Sequence, residues 1–187
     1  LHALLLATRV LDLDEMNGEV AAMIARVDFD AVTDDEGWIG HGFLDDGVTR
    51  LESSWRDWGG ETALLLALES MVSGREPRGK MIASGEPYRG VGFIAEIQSL
   101  FYPDFDRREP DLISGISWPE IRSKLLMRQI AYPKDTWPES AAAQSGVFGL
   151  SAGESGMPGA GYTANGIEVM GVRWLHPHYM LMGLALS

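Results

Sequence analysis

Cysteine is missing from this chain of 187 residues, and its absence excludes whole classes of chemistry. No disulfide can form, no thiolate can bind a metal ion, and no cysteine can act as a nucleophile. A chain without cysteine is compatible with an oxidising compartment.

Basic residues are scarce: 15 Lys and Arg stand against 27 Asp and Glu, which gives a net charge of −12. Nucleic acids require clustered Lys and Arg for their phosphates, so the composition argues against a nucleic-acid partner, and none is expected. Neutral partners such as sugars are compatible with it.

Long apolar runs are also absent. No stretch approaches the roughly 18 apolar residues of a membrane-spanning helix. The leucine-rich start has no basic residues before it and acids directly after it, so it predicts a helix rather than a signal peptide. With 45% hydrophobic and 22% charged residues, the chain is typical of one soluble globular domain.

Helical patterns fill about six segments. The first begins at Leu1, and Asp14 can cap a second one, whose apolar stripe runs from Met16 to Val27. Two further stretches are apolar on nearly every face: residues 61–72, and the stretch that starts at residue 90 and ends at Pro103. Such helices are buried on several sides and belong to layered helical architectures.

A fifth helix is predicted by the capping box of Ser117 and Glu120, with Pro119 in its first turn. Its inner face consists of Ile121, Leu125 and Leu126. Pro133 is expected to close it, and a sixth helix is predicted over residues 174–187.

Residues 37–50 lack a helical period and predict a small β-hairpin, with Trp38-Ile39 and Phe43-Leu44 near an Asp46-Gly47 turn. The acids in front of it do not have the spacing of an EF-hand loop. We therefore interpret them as solvated turn residues: Asp28, Asp30, Asp34 and Asp35.

A glycine-rich stretch, VFGLSAGESGMPGAGYTANG, covers residues 147–166. Glycine lets a backbone run close to another group, and long loops inside compact domains are usually functional. We predict a loop with a role in binding.

Three segments in this order resemble the glycoamylase-like family of bacterial (α/α)-toroid proteins, which are related to β-1,2-glucan-active glycoside hydrolases. They are WRDWGGETALLLALESM at 55–71, LFYPDFDR at 100–107, and the glycine-rich stretch with its Gly-Leu-Ser-Ala and Gly-Tyr runs. The resemblance extends over residues 55–187. The chain departs from the family at Val147-Phe148, where the family commonly has Trp, and at Glu154, near the usual position of an Asp.

The resemblance implies an all-α fold like an (α/α)6 toroid, with the small hairpin added. Residues 1–187 would then be a single glycoamylase-like domain with only part of the toroid's helices, the C-terminal part of a longer toroid. A partial toroid would expose apolar helix flanks, so we expect either self-association or a missing N-terminal half. The family further implies a periplasmic or secreted location.

Glycoside hydrolysis usually needs two carboxyl groups, one that donates a proton and one that activates water. Glu61, at the start of a buried helix behind Trp55 and Trp58, is the candidate general acid. Its helix end favours the ionised form while aromatic burial favours the neutral one. The alternative is that Glu61 only caps its helix.

Glu154 is the second catalytic candidate, with a solvent-facing loop acid as its alternative. Asp104 and Arg107 are expected either to contact substrate or to form a plain salt bridge.

Aromatic platforms suit the apolar faces of sugar rings. The candidates are Trp38, Trp55, Trp58, Tyr162 and Trp174, and the alternative for each Trp is core packing. His176 and His178 lack a third ligand at suitable spacing, so no metal and no cofactor is expected.

We therefore predict an inverting glycoside hydrolase that acts on a bacterial β-glucan or a related oligosaccharide. The alternative is a non-catalytic carbohydrate-binding or scaffold domain of the same fold. A toroid lyase acting on uronic acids ranks last, because it would favour a basic groove.

Overall fold

The computed structural model describes residues 1–56, 60–82, 88–110, 115–159, 161–169 and 174–186. About half of the chain is helical, with eight α-helices and two small antiparallel sheets among the described residues. The chain forms two compact units. Unit 1 comprises Leu1–Arg56 and Glu61–Ile82, and unit 2 comprises Asp57–Gly60 and Ala83–Ser187.

Unit 1 begins with two helices that pack against each other. Its elements are α1 (His2–Val10), α2 (Asp14–Ile24), α3 (Phe29–Val32), β1 (Ile39–Gly40), β2 (Ser54–Trp55) and α4 (Gly60–Ser73). Buried side chains of unit 1 include Val20, Ile24, Ile39, Leu64, Leu66 and Leu68.

A buried carboxylate in α4 holds the chain that follows this helix. Glu69 is 2% exposed, and its two oxygens accept the N–H groups of Arg78 at 2.7 Å and Gly79 at 3.0 Å. A Cβ on Gly79 would come within 2.6 Å of Leu66, so only glycine fits this close approach. The Glu69 clamp therefore keeps residues 78–80 against the helix.

The hairpin predicted over residues 37–50 is confirmed, but its pairing reaches further. Ile39 lies opposite Trp55 and Gly40 opposite Ser54, and Phe43 bridges to Arg50 nearer the tip. Asp46 accepts the N–H groups of residues 48 and 49, which is the local turn chemistry of aspartate.

Unit 2 is built around one long helix. Its elements are short 3-10 segments at Tyr88–Gly90, Gly92–Ala95 and Pro103–Asp106, then α5 (Ile97–Phe101), α6 (Trp118–Thr136), α7 (Ala141–Gln144), β3 (Ala152–Glu154), β4 (Tyr162–Ala164) and α8 (Pro177–Leu186). The core of the unit contains Ala95, Leu125, Leu150 and Ile167.

Three helix predictions in unit 2 need correction. The stretch from residue 90 is not one helix, because Glu96 has its φ at −106° and separates a 3-10 segment from α5. Pro133 does not close α6, which continues to Thr136. A proline removes only one backbone hydrogen bond there, and its buried position in the last turn compensates for the loss. The last helix begins at Pro177 and not at residue 174, since Leu175 bridges to Leu150.

The start of α6 is predicted correctly, but its capping box does not form. Ser117 is the N-cap residue, yet its side chain makes no capping hydrogen bond and its hydroxyl group is buried without a partner. The buried face also differs: Arg122, Leu125 and Gln129 point inward, whereas Ile121 and Leu126 are only half-buried.

The glycine-rich stretch is not the open loop that was expected. It contains the β3–β4 hairpin, in which Ala152 lies opposite Ala164 and Glu154 opposite Tyr162. Its glycines lie against other parts of unit 2: Gly153 contacts the ring of His176, and Gly156 faces the ring of Trp174.

Candidate functional site

Glu61 lies in the first turn of α4, in unit 1, and is half-buried. The buried apolar residues Ala63, Leu64 and Leu66 follow it on the same helix. The sequence therefore placed this carboxylate correctly at the start of a buried helix. Trp58, which was expected beside it, lies outside the described residues.

Trp38 and Trp55 occupy the same hairpin but point to opposite faces. Trp55 shares its face with Ile39, directly opposite it, and its ring packs edge-on against His41 at 4.4 Å. The guanidinium group of Arg56 lies over the ring of Trp38, with its central carbon 4.9 Å from the ring centroid. Because neighbouring residues of a strand alternate in direction, these two indoles do not form one continuous platform.

The β3–β4 hairpin brings two candidates of unit 2 together. Glu154 and Tyr162 are directly opposite each other across the strands, so their side chains leave the hairpin on the same face. Both are exposed, Tyr162 by 66%. Trp174 is half-buried against Gly156, just beyond the end of β3. A carboxylate and two aromatic rings therefore lie along this hairpin.

Asp104 and Arg107 form a salt bridge of 2.7 Å, with both side chains largely exposed. An exposed ion pair of this kind stabilises a fold by less than about 1 kcal/mol. It leaves both groups within reach of a partner from solution.

A buried charged cluster in unit 2 was not anticipated from the sequence. The Arg122 side chain donates to the hydroxyl of Ser99 at 2.6 Å and to the carboxylate of Asp106. Its Nε lies 3.3 Å from Oε2 of Glu96. Glu96 is 1% exposed, and burial raises its pKa to about 7, although Arg122 acts in the opposite direction.

Glu96 also faces a phenol that has no polar partner. The hydroxyl of Tyr179 and Oε2 of Glu96 are both buried without a hydrogen bond. Burial raises the pKa of Tyr179, and the charge of Glu96 raises it further. A carboxyl group this deeply buried cannot touch a polymer substrate, so its raised pKa describes the interior of the fold rather than a catalytic acid.

Two histidines connect α8 to the strands. Nε2 of His178 lies 3.1 Å from the hydroxyl of Ser151, and Nε2 of His176 lies 3.3 Å from the side-chain amide of Asn165. The rings are 5.6 Å apart. Burial lowers the pKa of both, and His178 lowers that of His176 further.

One signal in the sequence could have revealed these clusters. Glu96 and Gln98 are polar residues inside an otherwise apolar stretch, and buried polar groups need partners. Arg122 is the partner of Glu96, and Gln98 donates to the carbonyl of Ala95. Gln129, seven residues after Arg122 on the same helix face, donates to the carbonyl of Gly90. The pairing itself depends on tertiary contacts that no local pattern contains.

Among the described residues there is no group of three or more His, Asp or Glu side chains that could hold a metal ion. Likewise, none of the helices in the described ranges is both long and apolar enough to cross a membrane.

Comparison with known proteins finds no match to a protein-family model, to a curated protein or to a solved structure.

Proposed function

We propose that the protein is a glycoside hydrolase acting on a β-linked bacterial glucan, with helices that derive from an (α/α)6 toroid. The observation that carries the proposal is the exposed Glu154–Tyr162 pair, a carboxylate directly across the hairpin from an aromatic ring. Sugar-binding surfaces combine these two groups, because the ring packs on an apolar sugar face while the carboxylate reaches the hydroxyls. The ordered resemblance of the three segments over residues 55–187 supports the same class.

In this proposal Glu61 is the candidate proton donor on unit 1, and Glu154 is the candidate catalytic carboxylate on unit 2. The two residues belong to different units, so the role of each is tested by its own variant. Glutamine is the suitable replacement because it keeps the size of the side chain and removes the acid.

The experiment measures the release of reducing ends from β-1,2-, β-1,3- and β-1,4-linked gluco-oligosaccharides, together with binding of the same sugars by calorimetry. Glu61→Gln and Glu154→Gln should each lower the rate by about 10²–10⁴-fold and leave binding nearly unchanged. Glu120→Gln, an exposed acid on α6, is the matched control and should have no effect. If one of the two candidate variants keeps the wild-type rate, its catalytic role is wrong.

A wild-type protein that binds these sugars but cleaves none of them would be a non-catalytic carbohydrate-binding domain, the main alternative. Tyr162→Ala distinguishes this outcome from a lack of sugar recognition, since loss of the ring should weaken binding in either a hydrolase or a binding domain. A protein that neither cleaves nor binds any of the sugars would contradict the whole proposal.

A further inference from the structure

We propose that His176 and His178 form an acid-sensitive latch, which holds α8 on unit 2 while both rings are neutral and releases it when they become protonated. The latch is independent of the proposed hydrolase activity. It is defined by these two residues and by their partners, Ser151 directly before β3 and Asn165 directly after β4.

The contacts of the two histidine rings support the latch. Both rings are tied by Nε2 to the strand side of unit 2, at 3.1 Å and 3.3 Å. His176 also packs closely against Gly153, where a Cβ would lie 2.5 Å from the ring, so the ring is in contact with β3 while α8 is docked.

The positive charge that protonation adds to the rings also favours release of α8. A proton on either ring places a cation at the first turn of α8, where the helix dipole disfavours it. When both rings are protonated, two positive charges lie on rings that are 5.6 Å apart. Burial acts in the same direction, chiefly at His176, which is 8% exposed, whereas His178 is exposed; the pKa of each histidine lies below its ordinary value.

The sign of the effect follows from linkage. The docked form excludes protons that the released form accepts, so acid favours release. The docking equilibrium changes tenfold for every pKa unit by which docking lowers one histidine. Release begins as the pH falls below the ordinary pKa of histidine, 6.5.

Other groups on the elements packed against α8 also affect how its docking responds to pH. The neighbours on β3 and β4 and directly beside these strands are neutral: Ser151, Gly153, Thr163 and Asn165. On the opposite side Glu96 acts on Tyr179 of α8, with Arg122 and Asp106 beside it. The pKa of Glu96 is raised to about 7, so its protonation in acid favours the docked form and opposes the histidines.

The test is hydrogen exchange of the α8 amides at pH 7.5 and pH 5.0, corrected for the intrinsic pH dependence of exchange. In the wild type, protection of α8 should be lower at pH 5.0 than at pH 7.5, whereas α6 stays protected. The double variant His176→Asn, His178→Gln retains polar side chains but cannot be charged, and its α8 should keep equal protection at both pH values.

Two further variants act as controls. His41→Gln removes an exposed histidine in unit 1 and should release α8 as the wild type does. Glu96→Gln removes the opposing group, so release in acid should be larger. The local readout is necessary because the pKa of His2 in unit 1 is also lowered.

The proposal is overturned if α8 of the wild type is equally protected at both pH values, if α6 loses protection together with α8, or if the double variant still releases α8 in acid. Should the double variant not fold, NMR titration of the two wild-type rings replaces it. Titration at ordinary histidine pKa values would then refute the latch.

Discussion

A single buried carboxyl group, Glu96, gives unit 2 a pH dependence of its own. Its pKa is raised from 4.5 to about 7 by burial, with Arg122 only partly offsetting that effect. Between these two pH values the folded protein binds a proton that the unfolded chain does not. The contribution of Glu96 to stability is therefore fully present below pH 4.5 and is lost as the pH rises through 7.

Glu96→Gln should remove this pH dependence, because an amide is neutral at every pH. Relative to the wild type, the free energy of unfolding of the variant should rise by up to about 3 kcal/mol between pH 5 and pH 8. Urea unfolding at both pH values measures the difference, in which contributions from the histidines cancel. The exposed Glu120→Gln should parallel the wild type, and a parallel curve for Glu96→Gln would show that the carboxyl is not perturbed.

At the scale of elements, Gln129 of α6 joins three parts of unit 2. Its amide nitrogen donates to the carbonyls of Gly90 and Leu150 at 2.7 and 2.8 Å, and its oxygen accepts the N–H of Leu150 at 2.9 Å. Gln129 is fully buried, so no water can replace these bonds without rearrangement. This side chain fixes the strand side of the unit to the long helix.

Gln129→Leu should lower the free energy of unfolding by about 1–3 kcal/mol, because the buried N–H of Leu150 loses its partner, whereas the carbonyls of Gly90 and Leu150 each keep a backbone donor. Gln144→Leu is the matched control: it loses one exposed hydrogen bond to Lys134 and should change stability by less than about 1 kcal/mol. Chemical denaturation of both variants gives the comparison. Equal effects would mean that the Gln129 bonds do not stabilise unit 2.

Helices with clear apolar periodicity and the turn chemistry near Asp46 could be predicted from the sequence, because both signals are local. The break at Glu96 and the second hairpin could not. Glu96 interrupts its helix while its carboxylate lies beside Arg122, 26 residues later in the chain, and β3 pairs with β4 across a glycine-rich segment that has no alternation of polar and apolar residues.

At the scale of the whole molecule, charge is unbalanced. The net charge of −12 makes the compact state repel itself. Ion pairs such as Arg107–Asp104 are exposed. They contribute little to the stability of the fold, so salt that screens them removes little stability. Screening of the overall repulsion should therefore outweigh the weakening of these pairs.

Raising sodium chloride from 10 to 300 mM should increase the stability of the protein by about 1 kcal/mol, which corresponds to roughly 2–4 °C in melting temperature. Calorimetry at both concentrations checks this. Glu19→Lys, at an exposed position on α2, should raise the melting temperature at low salt and much less at high salt. A melting temperature that falls with salt would show that local ion pairs dominate instead.

The candidate site was predictable only in its types of residue. Aromatic rings and carboxylates suggested sugar chemistry, and the hairpin does place Glu154 beside Tyr162. Orientation was not predictable, because the opposite faces of Trp38 and Trp55 depend on strand register, and register is fixed by pairing between distant residues.

The close packing of the glycines in residues 147–166 has a practical consequence for anyone who engineers this protein. Gly149 has a φ of +132° and would place a Cβ 3.0 Å from the backbone of His176, and at Gly166 the Cβ would lie 2.4 Å from the backbone of Arg89. Affinity tags, fluorophores and spin labels therefore belong elsewhere. Val48 at the tip of the first hairpin is the better attachment point, because it is 79% exposed.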